Sequence, residues 1–243
     1  MKTKISKKTI YLTLTGLFTA IIILMSFTPL GYLRTQGFSI TLLPLPVAVG
    51  SILLSTLGTQ IVPGKKGVLF GSLGGAWLGL IFGVTSFIQC FTGDPMGAAL
   101  VSISVFRMVI TCIVARLLTG FLTGLLFTLL IKISIKYYTE LYTESGELFF
   151  SGNAKRKVTR TTAITVTCLC CPLLNTALFM SSLVLFFYNS DYIQGFVTTL
   201  GAKNPFNFVL LFVGINGVIE ALVCCIVGVA VAKSLDIALK REL

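Results

Sequence analysis

Histidine is absent from this sequence of 243 residues, and charged residues make up only 11% of it. The missing imidazole excludes Ser–His nucleophilic catalysis and histidine-ligated zinc sites. A soluble domain carries about 25% charged residues, so this chain has too few charges to cover a water-facing surface. It also lacks a P-loop motif that would cradle a nucleotide phosphate. The composition therefore predicts an integral membrane protein that is not an enzyme, with no catalytic residues, no metal and no cofactor.

Hydrophobic residues make up 55% of the sequence and occur in long runs without charge. A membrane-spanning helix needs about 20 mostly apolar residues. The runs predict six such helices, at roughly 9–28, 38–57, 68–88, 108–132, 162–188 and 207–234. The short alternating strands of a membrane barrel are not seen. We therefore expect an all-α, polytopic six-helix bundle in which residues 1–243 form one membrane domain.

The basic residues predict the orientation of these helices. With six spans, both termini lie on one side, and all of the 19 lysines and arginines belong there except Arg34, Arg107, Arg116 and Lys203. The positive-inside rule then places both termini in the cytoplasm of a multi-pass protein of the cell membrane. The hydrophilic segment 133–161 becomes a cytoplasmic loop that contacts anionic lipid. This distribution accounts for the net charge of +11 without any nucleic-acid partner.

Seven cysteines are present, an odd number that includes two adjacent pairs. This pattern argues against a disulfide framework. We interpret the thiols as small buried apolar residues of the spans.

Small residues on two predicted helices provide surfaces for close packing. Five glycines at a spacing of four lie on the third helix: Gly67, Gly71, Gly75, Gly79 and Gly83. Such a bare stripe lets another helix approach closely. The spacing leaves open whether that neighbour belongs to the same bundle or to another subunit. The first helix carries a shorter version of the pattern, formed by Gly16 and Ala20.

Polar side chains inside the spans are the candidate binding residues, because charges and amides in hydrocarbon usually face a cavity or each other. They are Gln89, Arg107, Arg116, Asn175, Asn216 and Glu220. Their positions along the helices allow them to converge on one pocket that opens to the outside. Two structural alternatives stay open: the asparagines hydrogen-bond between helices, or Glu220 and Arg116 form a buried ion pair.

The order and spacing of several segments make the chain similar to a known family. It resembles the substrate-binding S component of energy-coupling factor (ECF) vitamin transporters. The similar segments are 14–24, 27–32, 40–50, 79–87, 116–120 and 174–177. The resemblance implies a six-helix protein that captures a vitamin in a pocket near the outer surface, formed by helices four to six and extracellular loops. It also implies that the protein topples within the membrane to release the vitamin, driven by a transmembrane T component and two ATPase subunits.

The same resemblance suggests which residues contact the T component. In the family, small residues in an AxxxA pattern on the first helix make this contact, and the matching positions here are Gly16 and Ala20. The first of them is glycine instead of alanine, which still allows close approach. We expect Gly71, Gly75 and Gly79 to join the same face.

Segments 27–32 and 44–50 are most similar to the pantothenate-type branch of the family. Pantothenate is an anion with hydroxyl and amide groups. The resemblance therefore implies that Arg116 or Arg107 holds its carboxylate, while Asn175, Asn216 and Gln89 bind the rest.

Two other functions are compatible with the residues alone. In one, the protein is a stand-alone secondary transporter with Glu220 as a proton or sodium site. No inverted repeat between the two halves supports this alternative. In the other, it is a structural membrane protein whose glycine stripe is its main feature, which would leave the buried amides without a ligand.

Overall fold

The computed structural model describes residues 6–35, 38–145 and 152–242, with side chains for 6–32, 41–133, 160–214 and 217–238. The helices are α1 (Lys7–Ser26), α2 (Pro44–Ile61), α3 (Lys65–Thr92), α4 (Pro95–Ile103), α5 (Val105–Val109), α6 (Ala115–Ser145), α7 (Gly152–Phe187), α8 (Asp191–Thr199) and α9 (Pro205–Glu242). A π-helical turn, Ile110–Val114, joins α5 to α6. A short antiparallel hairpin of β1 (Tyr32–Thr35) and β2 (Phe38–Thr41) connects α1 to α2.

Six helical segments of the described chain are long and apolar enough to cross a membrane. They are Lys7–Ser26, Pro44–Ile61, Lys65–Thr92, Val105–Ile133, Arg160–Phe187 and Gly217–Ala238. This confirms the predicted helical membrane protein with six spans.

The second span begins later than predicted. Residues 38–41, expected to be helical, form β2, and α2 starts at Pro44. Proline favours the first turn of a helix, where its missing N–H is not needed. The alternation of apolar and polar residues in 38–41 suits a strand as well.

The segment 133–161, predicted to be a loop, is helical in the residues that the structure describes. Helix α6 continues to Ser145, and α7 begins at Gly152. Between 133 and 145 the sequence contains neither glycine nor proline, so the helix continues beyond the apolar stretch that defines the span.

Glycines of α3 pack inside the bundle. Gly75 and Gly79 of α3 contact Gly120 of α6, and we call this contact the glycine seam. A methyl group added at Gly75 would overlap the carbonyl oxygen of Gly120, and one at Gly79 would overlap that of Arg116. At Gly71, the added carbon would lie 2.6 Å from the Cα atom of Ser55 in α2. The predicted partner contact of these three α3 glycines is therefore wrong, because backbone of the same chain already occupies the space beside them.

Away from the seam, Arg160 connects three helices through an ion pair and a hydrogen bond. The Arg160 guanidinium of α7 donates from Nε to Oδ2 of Asp236 in α9 at 2.8 Å, and from Nη2 to Oδ1 of the same carboxylate. Nη2 also donates to Oγ1 of Thr56 in α2 at 3.0 Å. Since Asp236 is buried, the pair joins α7 to α9 in a partly dehydrated setting, where a bidentate contact is strong.

We predict that Gly75→Ala destabilises the isolated protein by about 1–3 kcal/mol, because the new methyl group meets backbone that cannot move aside. The measurement is thermal unfolding in detergent. Gly16→Ala is the matched control in another membrane helix, since an added carbon there has no neighbouring atom within 4 Å. Equal melting temperatures for the two variants would contradict the close contact between α3 and α6.

Candidate functional site

A cavity of about 530 Å³ lies among α3, α4, α6, α7, α8, α9 and the hairpin. This volume falls within the range of about 300–1,000 Å³ that is typical of pockets for small molecules. Four of the residues predicted to bind substrate line it: Gln89, Arg116, Asn175 and Glu220. The structure thus brings side chains from α3, α6, α7 and α9 to one space.

Arg107 is not among the residues that line the cavity. It lies on α5, before the π-helical turn, and its side chain is exposed. Its Nη1 atom donates to the backbone oxygen of Phe186 at 3.2 Å, near the end of α7. In this structure Arg107 therefore caps the end of a neighbouring helix, and its role in substrate binding stays a prediction.

The side chain of Asn216 lies outside the described residues. Its backbone belongs to α9, close to a break at Gly214, whose φ of 46° is in the left-handed region. Glycine accommodates this conformation without steric cost. Two neighbours in sequence, Val213 and Gly217, line the cavity, so the helix passes along its wall at this point.

Arg116 is buried and held mainly by its own helix and by aromatic rings. Its Nη1 atom donates to the backbone oxygen of Cys112, in the π-helical turn, at 3.2 Å. The guanidinium carbon lies 4.8 Å from the ring centre of Phe82 and 5.0 Å from that of Phe179. Such contacts stabilise a cation through the ring quadrupole. Within the described chain, Nε has no hydrogen-bond partner.

Glu220 is also buried, with 8% of its surface exposed. The backbone N–H of Thr41, in β2, donates to its carboxylate. Its other oxygen, Oε1, has no hydrogen-bond partner among the described residues. Both side chains are described, and no guanidinium nitrogen of Arg116 lies within 4.0 Å of a carboxylate oxygen of Glu220. The buried ion pair left open by the sequence is therefore not formed.

Asn175 extends from the middle of α7, three residues after Pro172, which lies inside the helix. The side chain is 8% exposed, and its Oδ1 atom has no hydrogen-bond partner in the part of the chain that the structure describes. Hydrogen bonding between helices therefore does not account for this oxygen. Buried polar atoms are nearly always paired in native proteins, so three such atoms around one cavity indicate a site for a polar ligand.

Sequence reasoning missed the aromatic side of the cavity. Its main part, the aromatic wall, consists of Tyr192 and Phe196 on α8 with Phe212 on α9. The ring centres of Tyr192 and Phe196 are 5.4 Å apart, and those of Phe196 and Phe212 are 5.8 Å apart. The sequence does contain one indication of the start of α8, because serine is a favoured N-cap residue. In the structure, the Ser190 hydroxyl accepts from the Ile193 N–H at 3.4 Å. The helix that follows has only nine residues, too few for a membrane-span pattern.

Asp94 and Tyr32 were missed as well. Asp94 precedes α4, and Tyr32 begins the hairpin. Burial raises the pKa of the Tyr32 hydroxyl above its ordinary value, so this side chain is neutral at physiological pH. Asp94 lies outside the long uncharged runs, and Tyr32 follows the predicted end of the first span at residue 28. Neither residue therefore counts as a polar residue inside a predicted span.

Comparison with known families gives a match over most of the chain. The family model described as ECF transporter, substrate-specific component, matches residues 66–232, which is more than half of the chain. The matched range includes Gln89, Asp94, Arg116, Asn175 and Glu220. A search of curated proteins found no match.

We predict that Glu220→Gln stabilises the ligand-free protein by about 1 kcal/mol or more at pH 8, because it removes a buried carboxylate with an unpaired oxygen. Glutamine keeps an acceptor for the Thr41 N–H. Thermal unfolding in detergent measures the effect. Asp191→Asn, at an exposed carboxylate outside the cavity, is the control and should give no increase. A lower melting temperature for Glu220→Gln would show that the charge is compensated in the ligand-free state.

Proposed function

The chain belongs to the family of ECF transporter substrate-specific components, and from this premise we propose that it is the high-affinity vitamin-binding subunit of an ECF-type importer in the cell membrane. The observation that carries the proposal is the cavity, in which buried polar atoms of Arg116, Asn175 and Glu220 lack partners within the described residues. A bound metabolite with polar groups would complete these hydrogen bonds. Its apolar part would pack against the aromatic wall.

Pantothenate is the ligand that the sequence resemblance favours. The unpaired Nε of Arg116 is a donor suited to a carboxylate. Asn175 and Gln89 provide groups for an amide and hydroxyls, although Gln89 already donates from Nε2 to the backbone oxygen of Ser26. The volume of about 530 Å³ is sufficient for a metabolite of this size.

Energy for uptake would come from other subunits, since this sequence has no P-loop motif. We propose a transmembrane T component and two ATPase subunits as partners, which drive a toppling motion of the protein, with both termini in the cytoplasm. Helix α1 supports this assignment, because only 17% of its membrane-spanning stretch is buried inside the structure, against 78% for α2. Most of α1 is therefore free to contact another subunit. Gly16 and Ala20 lie on its exposed side, where another helix can approach closely.

We predict that the purified protein binds a B-type vitamin tightly in the absence of ATP. Isothermal titration or native mass spectrometry, with pantothenate in the first panel, measures this. The same protein reconstituted alone in liposomes should not accumulate the vitamin under a proton or sodium gradient. Accumulation without partners would instead support a stand-alone ion-coupled transporter that uses Glu220, and would overturn the proposal.

We predict that Gly16→Leu or Ala20→Leu prevents co-purification with the T component and ATPases while vitamin affinity stays unchanged, because a bulky side chain would separate the two helices. Gly16→Ala keeps a small residue and is the matched control that should preserve the complex. Retention of the full complex in both leucine variants would contradict the assignment of this face of α1.

A further inference from the structure

The charged side chains around the cavity are unbalanced. Among the described residues that line it, Arg116 is the basic side chain, whereas Asp94 and Glu220 are acidic. With both carboxylates ionised, the lining has one excess negative charge. In a weakly polar surrounding, an uncompensated charge is costly, so the best ligand brings a positive charge to this space.

The positive side chain is already stabilised by the protein. Arg116 lies against the rings of Phe82 and Phe179 and donates to the Cys112 backbone oxygen. It therefore needs a ligand anion less than an isolated arginine would. A monoanionic ligand would also raise the negative excess in the cavity from one charge to two.

The two carboxylates are the candidate partners for a positive charge on the ligand. Glu220 is more than nine-tenths buried and has an oxygen without a donor in the described part of the chain. Asp94 occupies the N-cap position of α4, where an aspartate usually accepts from its own helix. Here its side chain makes no such cap hydrogen bond within the described residues, and it lines the cavity instead.

Aromatic rings supply the remaining part of the site. The wall of Tyr192, Phe196 and Phe212 lines the same space as the carboxylates. Ring faces attract organic cations, and recognition of ammonium groups by aromatic cages uses this effect. Acidic side chains combined with aromatic surface are the complement of a cation and not of a simple anion.

We propose that the ligand carries a positively charged nitrogen, either an ammonium group or a cationic heterocycle, which is bound by the carboxylate of Glu220 with Asp94 as the second acidic group. The inference rests on the proposed function as a substrate-binding subunit and replaces the expected anion by a cationic or zwitterionic metabolite. Arg116 is then available for a carboxylate or carbonyl oxygen elsewhere on the same molecule.

The test compares ligands of different charge on the purified protein by isothermal titration at pH 7. Pyridoxamine and pyridoxine form a matched pair, because they share one ring and differ in an amine against a hydroxyl. Thiamine is a second cation, and pantothenate and biotin are the anions. We expect a cationic probe to bind the most tightly, by a factor of about 10 or more over the neutral and anionic ones.

Two charge-removing variants test the assigned residues. Glu220→Gln should weaken binding of the cationic probe about tenfold or more, and Asp94→Asn should weaken it to a smaller extent. Asp191→Asn removes an exposed carboxylate outside the cavity and should leave the affinity unchanged. Melting temperatures of the ligand-free variants, measured in parallel, separate loss of binding from loss of folding.

The outcomes distinguish this inference from the proposed function. Tightest binding of pantothenate or biotin, unaffected by Glu220→Gln, would overturn the inference and support the proposed function. Binding of a cationic probe that is equally strong in Glu220→Gln and Asp94→Asn would also overturn it. If no probe binds at all and native mass spectrometry finds no co-purified metabolite, both the inference and the proposed function are contradicted.

Discussion

The burial of an arginine, a glutamate and an asparagine inside a largely apolar bundle is the constraint on which this structure depends. Arg116, Asn175 and Glu220 come from three different helices, and each has a polar atom without a partner in the described chain. Such groups are expensive in a protein interior. A fold that keeps them is organised around something that completes their interactions, and the cavity between them provides the space for it.

The position of Arg116 follows from backbone packing more than from its own side chain. Gly79 of α3 lies against the carbonyl of Arg116, and Gly75 lies against that of Gly120 one turn later on α6. Without side chains between them, the two helices approach closely, and the guanidinium is brought under Phe82 of α3. The glycine seam and the position of Arg116 beside the cavity therefore depend on the same contact between helices.

Much of the fold and part of the site could be predicted from the sequence. Long uncharged runs determine the six spans, because lipid requires them. Polar residues within such runs are conspicuous, which is how Gln89, Arg116, Asn175 and Glu220 were identified. Arg107 shows the limit, because its place in the sequence gives no information on which helix end its side chain contacts. Glycine spacing likewise indicates close approach without identifying the neighbour, and short elements such as α8 have no span-length pattern.

The contact between α3 and α6 also restricts how this sequence can diverge. At Gly75 and Gly120, each residue faces main-chain atoms of the other helix. A substitution changes the size of a side chain but not of the main chain, so no second substitution can create space here. Elsewhere in a protein core, a gain in volume at one site can be offset by a loss at its neighbour. At these two positions no compensating substitution exists, so both must remain glycine while the helices keep this spacing.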